Sequence, residues 1–227
     1  MKKLSFMKNL LAGAAVLTIA VSFTSCKKND VDESGSANLK IVNASPSSSA
    51  QSFYLANNVV VQGGLNFGDA KGYIAANSGN NLEAQFRNEG SSTAFATGKF
   101  NFNNGSSYTV FLAGDGQSAR VKLFPDDLSP VEGKAKVRFV HLSDAAPANI
   151  DIRKASGDNL IVNLAHDNAS NYVSLDPGIL SLQVFATGQS ASLGNFDLSA
   201  FAAGKIYMVY ITGSTTSTIA VHQIAHN

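Results

Sequence analysis

Residues 136–153 read KVRFVHLSDAAPANIDIR. Val137, Phe139 and His141 fall on one side of an alternating run, as strand side chains do. Ser143-Asp144-Ala145-Ala146-Pro147 breaks the run, and Ile150-Asp151-Ile152 resumes it. A degenerate version, NLKIVNASPSSSAQSFYL, occupies residues 38–55. Val137-Arg138-Phe139-Val140-His141 repeats Leu39-Lys40-Ile41-Val42-Asn43 type for type. The pairing extends to Gly72-Tyr73 with Asn171-Tyr172, and to Tyr108-Thr109-Val110-Phe111-Leu112-Ala113-Gly114 with Tyr207-Met208-Val209-Tyr210-Ile211-Thr212-Gly213. An offset of 98 or 99 residues is too long for a solenoid and marks two copies of one domain. The copies span residues 38–124 and 135–227, joined by PDDLSPVEGK at 125–134, a linker stiffened by two prolines.

Short alternating runs continue through the first copy at residues 51–55, 59–61, 70–74, 82–86, 94–102, 108–113 and 120–124. Turn signals separate them, among them Asn77-Ser78-Gly79-Asn80 and Asn103-Asn104-Gly105. Only 15% of residues are charged, too few for long surface helices rich in Glu and Lys. The expected class is all-β: two tandem immunoglobulin-like or transthyretin-like β-sandwiches. Parity assigns Leu39, Ile41, Tyr108, Val110 and Leu112 to the first core, and Val137, Phe139, Tyr207, Val209 and Ile211 to the second. Lys40 and Arg138 take the opposite parity and are expected at solvent. Tyr54, Tyr73, Phe111, Tyr172 and Tyr210 are candidates for an exposed aromatic patch, with sheet packing as the alternative.

The first 25 residues read as a signal peptide. Lys2, Lys3 and Lys8 precede a fourteen-residue uncharged run at 10–23, too short to span a bilayer. Phe23-Thr24-Ser25 leads into Cys26, the single cysteine of the chain. Small residues before that cysteine resemble a bacterial lipoprotein signal, which implies cleavage before Cys26 and lipidation (palmitate among the acyl groups) at that residue. Phe23 stands where leucine is commoner. An ordinary secretory signal beside an incidental cysteine is the alternative. Lys27-Lys28-Asn29-Asp30-Val31-Asp32-Glu33 is loosely similar to the surface-export signals of Bacteroidetes lipoproteins, or is simply a solvated tether. Residues 26–37 are expected to be a flexible tether. Removing the three leader lysines leaves 14 cationic residues against 16 anionic ones. Such a near-neutral chain, with no basic patch, argues against nucleic-acid binding.

The run from Val137 through Pro147, with Ile150-Asp151-Ile152, resembles the opening of the DUF4397 domain of unknown function. That domain typically has a valine-rich strand, His-Ala-Ser-Pro-Asp-Ala-Pro, then Val-Asp-Val-Tyr. Leu142 and Arg153 depart from it, and the first copy departs further, with Asn43 for the histidine and Ser52 for the aspartate. The resemblance implies an envelope protein with tandem sandwiches and implies no activity.

His141 points inward at a strand end near Asp144 and Asp151, which suits either base catalysis or satisfaction of loop backbone groups. Asn43 takes the same place in the first copy and can do only the second. Asp144 is expected to cap turn donors, and Asp151 to lie exposed beside Arg153. His222 and His226 are four apart, a spacing that would suit a metal on a helix. Here Ile219-Ala220-Val221-His222 alternates as a strand and His226 falls in the last two residues, with no cysteine or acid close by, so no metal is expected, and no cofactor. These readings lead to a non-catalytic protein, held at the outer membrane by the Cys26 lipid, that presents loops to a protein or glycan partner of the cell envelope. The alternatives are a structural spacer or assembly subunit, and a lipid-anchored hydrolase using His141.

Overall fold

A computed structural model describes residues 30–227. The expected signal peptide, Cys26 and the first residues of the expected tether lie outside the described residues. Seven strands form the first half: β1 (Asp30–Ala44), β2 (Gln51–Leu55), β3 (Asn58–Leu65), β4 (Ala70–Asn88), β5 (Ala96–Phe102), β6 (Ser107–Ala113) and β7 (Arg120–Pro125). Eight form the second: β8 (Ala135–His141), β9 (Asn149–Lys154), β10 (Asn159–Ala165), β11 (Val173–Leu175), β12 (Gly178–Ala186), β13 (Ser192–Phe201), β14 (Ile206–Thr212) and β15 (Ala220–Ala225). The class is all-β, with sandwich packing in each half. The second half has two four-stranded sheets, ordered β11-β8-β14-β15 and β10-β9-β12-β13. The first half has the same two layers, with one strand running through both. The start of β4 pairs with β1, and its end pairs with β2 and β5.

Pro177 explains that difference. It lacks the N–H a ladder needs, and it separates β11 from β12 at the layer change. The first copy has Ser78 there, and β4 bends through Gly79 (φ 147°) and Asn81 (φ 54°) without losing its pairing. Asn77-Ser78-Gly79-Asn80, expected to be a free turn, is therefore a bend within a strand. The expected tether is corrected with it. β1 begins at Asp30, and Asp30 and Val31 pair with Asn80 and Gly79. The polar composition of residues 30–37 hid this edge, which is held by backbone pairing and by Val31 and Ala37 packing on the first core.

Between the layers, Leu39, Ile41, Tyr108, Val110 and Leu112 join Phe53, Phe86 and Phe102 in one core. Val137, Phe139, Tyr207, Val209 and Ile211 join Ile150, Ile152 and Val184 in the other. Parity alone identified the inward faces correctly. It misjudged the outward ones, because a third apolar cluster lies between the two sandwiches. Val42, Ala44, Phe111, Ala113 and Phe124 of the first copy pack there on Val140, Leu142, Met208, Tyr210 and Ile224 of the second. Phe111 and Tyr210 are fully buried in this cluster rather than exposed. Lys40 is buried, with its ammonium 5.0 Å from the centre of the Tyr73 ring. Arg138 lies 5.4 Å from the Tyr172 ring and donates to Ser170 O and Pro125 O. Both cations were expected at solvent, and both sit at the margin of the seam instead.

The seam has approximate two-fold symmetry. Equivalent residues of the copies touch one another at three levels: Phe111 with Tyr210 (ring centres 5.2 Å apart), Asp115 with Ser214, and Asp126 with His226. The last two are equivalent by backbone bonding, since Asp126 N donates to Ser107 O and His226 N to Ile206 O. A residue meets its own counterpart only on a two-fold axis. The three pairs follow β6 and β14, so the axis runs along those strands and both copies point the same way. The loops around Ser45, Asp115, Asp144 and Ser214 therefore share one end. Asp30, the Asn103–Ser106 turn, the Pro177 corner and the linker share the other.

Candidate functional site

At the loop end, each copy closes its first corner with a buried polar side chain. Asn43 donates Nδ2 to Leu65 O at 3.0 Å and accepts Ser45 N at 3.0 Å. His141, fully buried at the equivalent place, donates Nε2 to Pro147 O at 2.9 Å. With Nε2 as donor, Nδ1 carries the lone pair, and it has no partner. Burial pushes the His141 pKa down, so the ring stays neutral at physiological pH.

Asp144 does not cap its own turn. Ser143 Oγ accepts Ala145 N and Ala146 N. Asp144 instead reaches across the seam to Arg120 Nη1 at 2.9 Å and contacts His166 Nε2 at 3.1 Å. Arg120 also binds Asp167 at 2.7 Å. The reason is positional: Ser143 already holds the turn, and Arg120 projects from the neighbouring sandwich. Asp151 is also corrected. It keeps the outward parity, yet it is only 4% exposed. Its carboxylate accepts Asn163 N (2.9 Å), Thr187 Oγ1 (3.0 Å) and Gly188 N (3.3 Å), while Arg153 stands at 3.5 Å. Three donors on one carboxylate hold its pKa below the usual range despite the desolvation that opposes them.

The opposite end of the seam holds a cluster that sequence reading missed. Asp126 Oδ2 accepts Tyr73 OH and Thr109 Oγ1, each at 2.8 Å, and lies 3.7 Å from His226 Nδ1. Tyr73 OH also contacts His226 Nδ1. The Asp126 and His226 side chains have no exposed surface. Burial raises the Asp126 pKa to about 6, against the Tyr73 and Thr109 hydrogen bonds and the charges of Arg138 and Lys40. Burial, then Lys40 and Arg138, lowers His226 to about 4. One phenolic proton cannot serve both neighbours. With Asp126 ionised, Tyr73 donates to Asp126 and His226 donates Nδ1–H to Tyr73. His226 Nε2 is then bare, and it has no partner. In the sequence Asp126 belongs to the linker and His226 lies four residues beyond His222, with no motif that joins the two. Among the described residues no group of three or more His, Cys, Asp or Glu could hold a metal ion.

The model of the domain of unknown function DUF4397 matches residues 37–153, just over half of the chain. The chain belongs to the DUF4397 family. The matched segment covers the first sandwich of this DUF4397 protein from Ala37 onward, the linker, and the opening of the second copy through Arg153. No curated protein matches it. Among solved structures, the C-terminal domain of AlgF from P. aeruginosa is 23% identical, covering 41% of this chain and 99% of that one, at a TM-score of 0.31. CBMbc (family CBM26) from Eubacterium rectale Amy13K, solved with maltoheptaose, is 12% identical, covering 82% and 96%, at a TM-score of 0.29. Scores this low carry no inference about the ligand or partner of the DUF4397 chain.

Proposed function

We propose that this DUF4397 protein is a non-catalytic binding module of the cell envelope, held at the outer membrane through lipid on Cys26. The carrying observation is polarity. β1 starts at Asp30, four residues beyond Cys26, and starts at the end of the paired sandwiches opposite the Asn43 and His141 corners. Four extended residues reach about 13 Å. That end would therefore sit close to the bilayer and the corner loops would face away from it, where a protein or glycan partner can reach them. The buried histidines also fit this reading, because His141 and His226 are engaged in holding a corner and a seam. Two or more acyl chains give firm attachment, at about 0.8 kcal/mol per buried CH₂.

The test is metabolic labelling with a palmitate analogue, with Cys26→Ser as control. Label on the native chain, and release of the variant from the membrane fraction, are expected. An unlabelled chain that fractionates like the variant would sink the anchoring. Protease added to intact cells then decides between the cell surface and the periplasm. A second reading, an assembly subunit, draws on β10. This strand ends its sheet and exposes Val162 at 58%, as strand addition by a partner would require.

A further inference from the structure

The two copies keep one side-chain pair with its members exchanged. In the first copy the Arg87 guanidinium lies 4.1 Å from the centre of the Tyr54 ring. In the second, Arg153 holds the place of Tyr54 and Phe185 that of Arg87, again at 4.1 Å. The stack is therefore kept while the surface it presents is altered. Neighbouring positions differ as well. In the second copy Thr187 and Gly188 close onto Asp151. In the first, Ser52 replaces the aspartate and accepts only Gly63 N at 3.0 Å. A cleft of about 510 Å³ opens beside it, lined by Ser52, Tyr54, Gln62, Arg87, Glu89 and Ser91.

The wall chemistry narrows the ligand. Arg87 spends Nε and Nη2 on Gln85 Oε1, at 3.0 and 2.5 Å, which fixes the guanidinium plane and leaves Nη1 for another acceptor. Glu89 supplies an acceptor carboxylate, and Ser52, Ser91 and Gln62 supply hydroxyls and an amide that donate and accept. The Arg87 and Glu89 charges offset each other, so neither an anion nor a cation is favoured. An apolar ligand would leave these walls unpaired, at a cost. A chain of hydroxyls, each donating and accepting, satisfies a cationic donor beside an anionic acceptor.

We infer that this cleft of the first sandwich binds a neutral saccharide, with Arg87, Glu89 and Ser52 pairing to its hydroxyls and the Arg87–Tyr54 stack forming one wall. The inference rests on the binding-module reading above and gives that reading a ligand class.

The test titrates the full-length protein with neutral, acetamido and uronate oligosaccharides, by calorimetry and by NMR of the Tyr54 and Arg87 side chains. A neutral or acetamido sugar is expected to shift both signals. The double variant Tyr54→Arg/Arg87→Phe installs the second copy's arrangement. It should keep the melting temperature and weaken binding by about tenfold or more. Glu89→Gln, at an exposed site, should weaken it too and serves if the double variant fails to fold. Response to uronates alone, shifts elsewhere on the chain, an unaffected double variant, or no response to any sugar would each overturn the inference. A lipidated chain with a blank panel removes the cleft and leaves the anchored module. An unlipidated chain that binds sugar here does the reverse.

Discussion

Asp126 and His226 occupy the same position in the two copies and face each other across the axis that relates them. In a homodimer of identical sandwiches, the residue at that place would meet itself. Two carboxylates buried together would repel, with no exposed surface to relieve them. Covalent linkage of the copies lets the two positions differ, and they have become an acid and a base. Asp115 and Ser214 repeat the solution with an acceptor and a hydroxyl donor. His226→Asp should therefore cost about 3–5 kcal/mol near neutral pH, the range for an uncompensated buried charge. Urea unfolding would measure it, and a change under about 1 kcal/mol would mean that the pair is not sealed from water.

The same pair sets opposing pH dependences. His226 titrates near pH 4 folded and near 6.5 when free. Its contribution is present above 6.5 and is lost as pH falls toward 4. Asp126 titrates near 6 folded and near 3.8 when free. Its contribution is present below 3.8 and is lost as pH rises through 6. Each is worth about 3 kcal/mol at the far end of its window, so they nearly cancel. Asp126→Asn should make stability fall more steeply from pH 6.5 to 4 than in the native chain, and His226→Asn should make it fall less. Chemical denaturation across that range reads both slopes; parallel curves for the two variants would refute the coupling.

Phe111 and Tyr210 fill the middle of the seam, together with Met208 and Val140. Truncation of a buried aromatic costs about 3–5 kcal/mol, and an aromatic pair adds about 0.5–1.5 kcal/mol beyond its area. Phe111→Ala and Tyr210→Ala should each fall in the first range, and their double-mutant cycle should return a coupling in the second. Because the cluster joins both sandwiches, the native chain should unfold in one transition by calorimetry. Two resolved transitions would show the seam to be weaker than its packing indicates.

Gly79 lets β4 turn from one layer to the other. A Cβ there would stand 2.2 Å from Asp30 O, at a φ of +147°. Gly105 also has positive φ (+74°) but open space around it. Gly79→Ala should thus lower the melting temperature well beyond Gly105→Ala, since only the first displaces β1 backbone. Hydrogen exchange should show the excess at Asp30 and Val31. Equal losses at the two glycines would place the cost in φ strain alone.

The alternation in residues 136–153 and its earlier copy were enough to determine an all-β chain, the repeat and the inward faces, because period two and a fixed offset are local properties. The corner residues Asn43 and His141 were legible for the same reason: a polar side chain at an inward strand end has few roles. Asp144 was misread because its partner, Arg120, comes from the other sandwich. Asp151 was misread because Thr187 and Gly188 close over it from more than thirty residues away. Lys40, Arg138, Phe111 and Tyr210 carried the correct parity. Parity identifies which face a side chain is on, and it does not report whether a second body covers that face. The Asp126–His226 pair joins a linker to a strand end a hundred residues on, with no motif at either place. The sequence by itself determined the repeat and its strands through near-neighbour alternation. Only the tertiary structure decided that the copies are bound face to face about an axis, because the outward faces become a seam only once each has the other to bury against.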